Sequence, residues 1–159
     1  MKGVFPGSFD PPTRGHLDLI RRAASIMDQV TVCVMVNISK TGVIPFDERA
    51  RMLRKACSNI PNVTVEKWEG LLADYMRTKE TGTAVIRGVR SNSEFEQERT
   101  AAAVNRALYP GLETVLMFAA DGMDSVSSST VREIASFGGD YSFLIPKKIA
   151  KDIDKYLKK

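Results

Sequence analysis

Residues 30–36 read Val-Thr-Val-Cys-Val-Met-Val, a strand-length run in which only Thr31 is polar. A strand with one wet face alternates apolar and polar side chains; this one does not, so both of its faces must be covered. Sheets covered on both faces are parallel ones, because each crossover delivers a helix to a face. The rest of the chain supplies those helices. Arg14–Met27 carries an apolar stripe at Leu17, Ile20, Ala24 and Met27, the period of an amphipathic helix.

Strand and helix patterns alternate throughout. Strands are expected at Lys2–Pro6, Val30–Val36, Asn62–Glu66, Thr83–Ile86 and Glu113–Phe118. Helices are expected at Arg14–Met27, from an Asp47 cap to Cys57, at Leu71–Lys79, Ser93–Leu108 and Ser127–Phe137, the last stopped by Gly138-Gly139. Pro146 is expected to open a final helix with Ile149, Ile153 and Tyr156 on one side. The fold class is therefore α/β: one domain over 1–159, a five-stranded parallel, doubly wound, Rossmann-like sheet with helices on both faces and a C-terminal helix.

Ligands of such sheets sit beyond the carboxyl ends of the strands, near the point where strand order reverses. Four segments placed there carry polar residues that a plain turn does not need. They are Gly7-Ser8-Phe9-Asp10 through His16, Asn37-Ile38-Ser39-Lys40, Arg87-Gly88-Val89-Arg90, and Val126-Ser127-Ser128-Ser129-Thr130-Val131-Arg132. Each has a plain reading. Gly7 and Gly15 make turns, and the Asp10-Pro11-Pro12 run is good turn chemistry. His16, the one histidine of the chain, could be a surface or capping residue, and the three serines an N-cap cluster. Arg87 and Arg90 resist such a reading. Two cations flanking a glycine directly after a buried strand repel unless an anion compensates them. Together the four segments describe a polyphosphate site, where helix N-termini and loop amides converge.

The net charge of +4 bears on nucleic acid only if it is spread over a face. It is not: residues 147–159 hold six lysines against two aspartates, and the remaining residues balance at 17 basic and 17 acidic side chains. A solvated terminal helix accounts for the excess, so no nucleic-acid partner is expected. No apolar run approaches the roughly 18–20 residues that span a bilayer, and no membrane association is expected. Cys33 and Cys57 lie in apolar stretches and read as buried free thiols, which fits a reducing cytoplasm.

The residues from Gly7 to His16 resemble the GxFDPxxxGH form of the HxGH signature of the nucleotidyltransferase superfamily, and Val126–Arg132 resembles its ISSTxxR-type partner. More narrowly, Arg87–Arg90 followed by Glu94-Phe95-Glu96-Gln97-Glu98 and Asn105-Arg106 is similar to the phosphopantetheine adenylyltransferase family. That resemblance implies transfer of the adenylyl group of ATP to 4′-phosphopantetheine, with Mg²⁺ accompanying ATP, in a homohexamer. It implies that His16 stabilises the transition state at the α-phosphate and that Ser8 sits between the reacting phosphates. Lys40 and Arg87 would hold the acceptor phosphate with Ser8, and Leu72 would line the pantetheine arm. Phe9, Gly88, Val89, Arg90, Glu98, Met123, Asp124, Ser125, Val126, Ser127, Ser128 and Ser129 would contact ATP, with Ser8 and His16. Ser8 stands where threonine is common, Phe5 where tyrosine often occurs, and Met123 where an aromatic is often found.

The acceptor in that reaction is a phosphate monoester, already ionised near neutral pH because its second pKa is about 6. No general base is needed, and positioning with charge stabilisation carries the chemistry. Asp10 is then better read as a turn former than as a base, while Glu98 could bind an adenine or ribose edge or pair with Arg90. Other readings of the same signature are a nicotinamide-mononucleotide adenylyltransferase, a cytidylyltransferase or a non-catalytic nucleotide sensor. The Arg87–Arg90 segment with its acidic helix disfavours the first two, and the neutral body disfavours a nucleic-acid-binding module.

Overall fold

A computed structural model describes residues 1–36 and 41–158. Its centre is a sheet of β1 (Lys2–Gly7), β2 (Gln29–Met35), β3 (Val63–Trp68), β4 (Ala84–Val89) and β5 (Thr114–Phe118), in the order β3-β2-β1-β4-β5 with every pair parallel. The chain winds outward from β1 to β3 and then returns to the other side of β1, so the order reverses between β1 and β4.

Adjacent residues of β1 point to opposite faces and sort the core into two layers. Phe5 joins Val30, Val32, Val34 and Ile86 under α1 (Arg14–Ile26), α2 (Phe46–Cys57), α5 (Ser128–Ser136) and α6 (Ala150–Leu157). Val4 joins Cys33, Val85, Tyr75 and Met76 on the face of α3 (Leu72–Arg77), where Tyr109, at the end of α4 (Asn92–Leu108), also packs. Both cysteines are buried and free. Among the described residues no helix is long and apolar enough to cross a membrane.

Three local expectations are corrected. Asp47 does not cap α2: the helix begins at Phe46 after Pro45, with no side-chain cap. Asp47 sits instead in the first turn, where a carboxylate suits the helix dipole, and pairs with Lys67 of β3. Pro146 is followed by one turn of 3₁₀ helix, Lys147–Ile149, before α6 begins at Ala150. Asp152 then takes Arg51 at 3.1 Å and Lys55 at 2.7 Å, fastening the final helix to α2. The fourth strand runs on to Val89, so Arg87, Gly88 and Val89 belong to it rather than to a loop after it.

The extension follows from pairing with β5, which β4 keeps at Arg87–Leu116, Gly88–Met117 and Val89–Phe118. β1 and β4 pair only at Gly3–Ala84 and Val4–Val85, while β1 stays paired with β2 as far as Gly7. Pro6 has no N–H to offer a ladder, and beyond Val4 the two central strands part. The Arg87 side chain bridges the parting by donating Nη1–H to the Pro6 carbonyl at 2.8 Å. The mouth of a crevice is thereby cut into the carboxyl edge of the sheet at its switch point.

Candidate active site

That crevice has a volume of about 480 Å³. The loops after β1 and β5, the end of β4 and the first turns of α1 and α5 line it. Ser8, Phe9, His16, Arg87, Gly88, Arg90, Glu98, Met123, Val126, Ser127, Ser128 and Ser129 all lie on its wall. Leu72 packs against the α3-side core, Val89 is buried, and Asp124 and Ser125 are exposed; none of the four lines the cleft. Lys40, with Asn37, Ile38 and Ser39, lies outside the described residues.

His16 is both a capping residue and a cleft residue. Thr13 is the N-cap of α1; its hydroxyl accepts from the His16 amide at 3.3 Å, and its own N–H donates to His16 Nδ1 at 3.0 Å. This is a capping box with an imidazole where glutamate or glutamine is usual. An acceptor role for Nδ1 places the proton of the neutral ring on Nε2, which has no partner among the described residues. The ring is held from the side by Phe9, edge-to-face at 4.9 Å, and Phe9 meets Phe5 the same way at 5.7 Å. Glycine at position 7 leaves room for this stack: a Cβ there would stand 3.0 Å from the Phe9 ring and press on it. Phe9 itself has φ 49°, a left-handed conformation that non-glycine residues seldom adopt.

Burial lowers the His16 pKa to about 4, and the charges of Arg90 and Arg87 add to the effect. The folded protein thus holds the ring neutral where the unfolded chain binds a proton below about pH 6.5. Stability is therefore expected to fall as pH drops from 6.5 to 4 and to level off below that, by up to about 3 kcal/mol from this group. Denaturant titrations across that window should show the slope in the free protein and lose it in His16→Gln, whose amide can rebuild the cap. An unchanged slope in the variant would remove His16 as its source.

Arg87 and Arg90 are already compensated within the chain. Arg87 forms a fork with Glu98, Nε at 2.8 Å and Nη2 at 2.6 Å from its two oxygens. Arg90 pairs with Glu94, also through its backbone N–H at 2.8 Å, and donates Nη1–H to the Val126 carbonyl at 2.9 Å. Glu98 therefore pairs with Arg87 and not with Arg90, a correction that follows from geometry. Arg87 lies inside a strand with its side chain turned toward Pro6 and Glu98, whereas Arg90 has left the strand and reaches Glu94, one turn into α4. Asp10 is a loop organiser: its oxygens accept the amides of Val43 at 2.9 Å and Ile44 at 2.8 Å. Ser127 caps α5, Ser128 donates to the Pro11 carbonyl at 2.7 Å, and Arg132 donates to the Asp10 carbonyl. These contacts tie the β5–α5 loop to the β1–α1 loop across the cleft.

Arg49 was not singled out by the sequence. It is a buried cation on α2 that donates Nη1–H to the Ser8 carbonyl at 2.8 Å. An arginine beside Phe46 on an amphipathic helix reads as solvated, and only the tertiary fold turns it inward. No group of three histidine, cysteine or carboxylate side chains able to hold a metal occurs among the described residues.

A parallel sheet with its cleft at the switch point, two helix N-termini and a histidine capping box facing it defines a doubly wound, Rossmann-like α/β protein, a class whose ligands bind at that edge. The sequence model of the cytidylyltransferase-like family matches residues 4–134. A phosphopantetheine adenylyltransferase of Heliobacterium modesticaldum is 47% identical over 96% of this chain and 91% of that protein. Proteins of the same name from Clostridium perfringens and Dictyoglomus turgidum are 43% and 44% identical over 96% of this chain and 93% and 95% of their own lengths. This chain belongs to the phosphopantetheine adenylyltransferase family, a family of nucleotidyltransferases.

Proposed function

We propose that the protein joins the adenylyl group of ATP to 4′-phosphopantetheine, giving dephospho-coenzyme A and pyrophosphate. The observation that carries this reading is the union, on one cleft wall, of the His16 box, the Arg87–Arg90 pair and the serine-rich start of α5. An oxygen of the acceptor phosphate attacks the α-phosphorus in line. A phosphorus–oxygen bond forms to it while the bond to the β-bridging oxygen breaks, and pyrophosphate leaves without any covalent enzyme intermediate. His16 Nε2–H donates to a non-bridging oxygen where charge accumulates, and the Ser8 hydroxyl bridges the reacting phosphates. Arg87 and Lys40 hold the acceptor phosphate; Arg90 and the amides at the start of α5 draw on the departing one. The carboxylates on the cleft wall are engaged with arginines or backbone amides, so Mg²⁺ would be held by the phosphates of ATP and by water.

The reaction runs in the cytoplasm, in keeping with buried free thiols, and in a homo-oligomer. Helix α4 has no buried residue, and Val104 and Leu108, one turn apart on one side, and Phe95, on the other, are uncovered, which makes this helix the natural seam for a second copy. The test is pyrophosphate release from ATP with 4′-phosphopantetheine, against nicotinamide mononucleotide as acceptor and CTP as donor, with the mass of the same preparation measured by light scattering. Turnover is expected only with ATP and phosphopantetheine, by particles larger than one chain. Turnover with another pair would transfer the protein to a different reaction, and a monomer would remove the assembly.

A further inference from the structure

We propose that Arg49 is a positioning residue for adenylyl transfer, bracing the Ser8–Phe9 turn from beneath so that its backbone and hydroxyl meet the reacting phosphates; this rests on the function proposed above. Arg49 is only 7% exposed, yet among the described residues it has no carboxylate within ion-pair distance and its buried Nε has no partner. A buried guanidinium so poorly matched is costly to the fold, and a helix that merely needed packing at this point would do better with an apolar side chain.

What the charge does reach is the cleft wall. Nη1 holds the Ser8 carbonyl at 2.8 Å, and the guanidinium lies over the Phe46 ring at 5.5 Å, which fixes its direction. The next residue, Phe9, occupies its left-handed conformation against preference. Such backbones persist only where neighbours over-determine them. Here the Phe9 ring is anchored in the core on one side, and the Ser8 carbonyl is held by Arg49 on the other. Asp10, one residue on, lies close enough to share the same corner. A Cβ on Gly42 would stand 3.4 Å from Arg49 Nη2 and 3.7 Å from Asp10 Oδ2.

Arg49→Lys and Arg49→Gln test this, read by thermal melting, steady-state kinetics and amide hydrogen exchange. Both are expected to melt near the parent: Arg49→Gln gives up a poorly compensated buried charge together with its hydrogen bond, and Arg49→Lys keeps the charge and a donor for the Ser8 carbonyl. kcat is expected to fall about 10²-fold in Arg49→Gln and less in Arg49→Lys, with the KM for ATP changed by less than about threefold. Exchange should quicken at residues 7–10 and stay unchanged in the sheet. Gly42→Val is the second variant: its Cβ alone would sit in ordinary contact 3.4 Å from Nη2, but the methyls beyond it crowd the guanidinium while leaving it in place, and about a threefold to tenfold loss in kcat is expected.

Parental kcat in both Arg49 variants overturns the proposal, as does exchange that quickens throughout the molecule in step with a lowered melting point. Should the Arg49 variants fail to fold, Gly42→Val decides: loss of kcat at parental stability upholds the brace, and full activity ends it. Parent protein that releases no pyrophosphate with phosphopantetheine refutes the function instead, and local exchange at residues 7–10 then decides the role of Arg49.

Discussion

His16→Ala is expected to lower kcat by about 10²–10³-fold while the KM for ATP changes little, since loss of one donor aimed at developing charge costs this much elsewhere. The effect has two physical parts that the structure separates. One is the missing Nε2–H. The other is the capping box: without the ring, the Thr13 amide loses its acceptor, worth about 1 kcal/mol of helix stability. His16→Gln restores a side-chain acceptor at that place in the box, so it should recover the melting point but not the turnover. Turnover restored along with the cap would show that the imidazole is structural.

Arg87→Ala is expected to reduce kcat/KM for the acceptor by about 10²–10³-fold, and more of that loss should come from an unmasked anion than is usual for a phosphate ligand. In the free protein Arg87 neutralises Glu98, whose side chain is only 15% exposed. Removing the guanidinium removes an attraction and leaves a carboxylate facing an incoming dianion. The pair should therefore be strongly non-additive: Arg87→Ala/Glu98→Ala ought to regain about tenfold over Arg87→Ala alone. Additive losses in the double variant would mean that Glu98 does not face the acceptor phosphate. Parental kinetics in Arg87→Ala would reduce Arg87 to a brace on the Pro6 carbonyl.

Much of this architecture was legible because it rests on local rules. The seven residues from Val30 could only be a covered parallel strand, and the alternating pattern around them could only be doubly wound. The four polar segments were legible for the same reason, since strand tips are where such sheets bind; three fall on one cleft and the fourth, around Lys40, lies outside the described residues. Where expectations slipped, a partner distant in the chain decided. Asp47 looked like a cap but lies inside the first turn and pairs with Lys67, and the Arg87 strand ran long because β5 stays paired with it as far as Val89. Glu98 chose Arg87 over Arg90 through the direction of a strand.

What the sequence determined by itself is the kind of sheet, the edge to which the polar segments come and the residue types gathered there, because periodicity, capping and loop placement are properties of neighbours in the chain. What the tertiary structure alone decided is the pairing: which carboxylate quiets which guanidinium, and that a helix arginine is buried beneath Ser8. Those choices depend on distances between segments far apart in sequence, and Coulomb and desolvation energies are set by such distances and by burial.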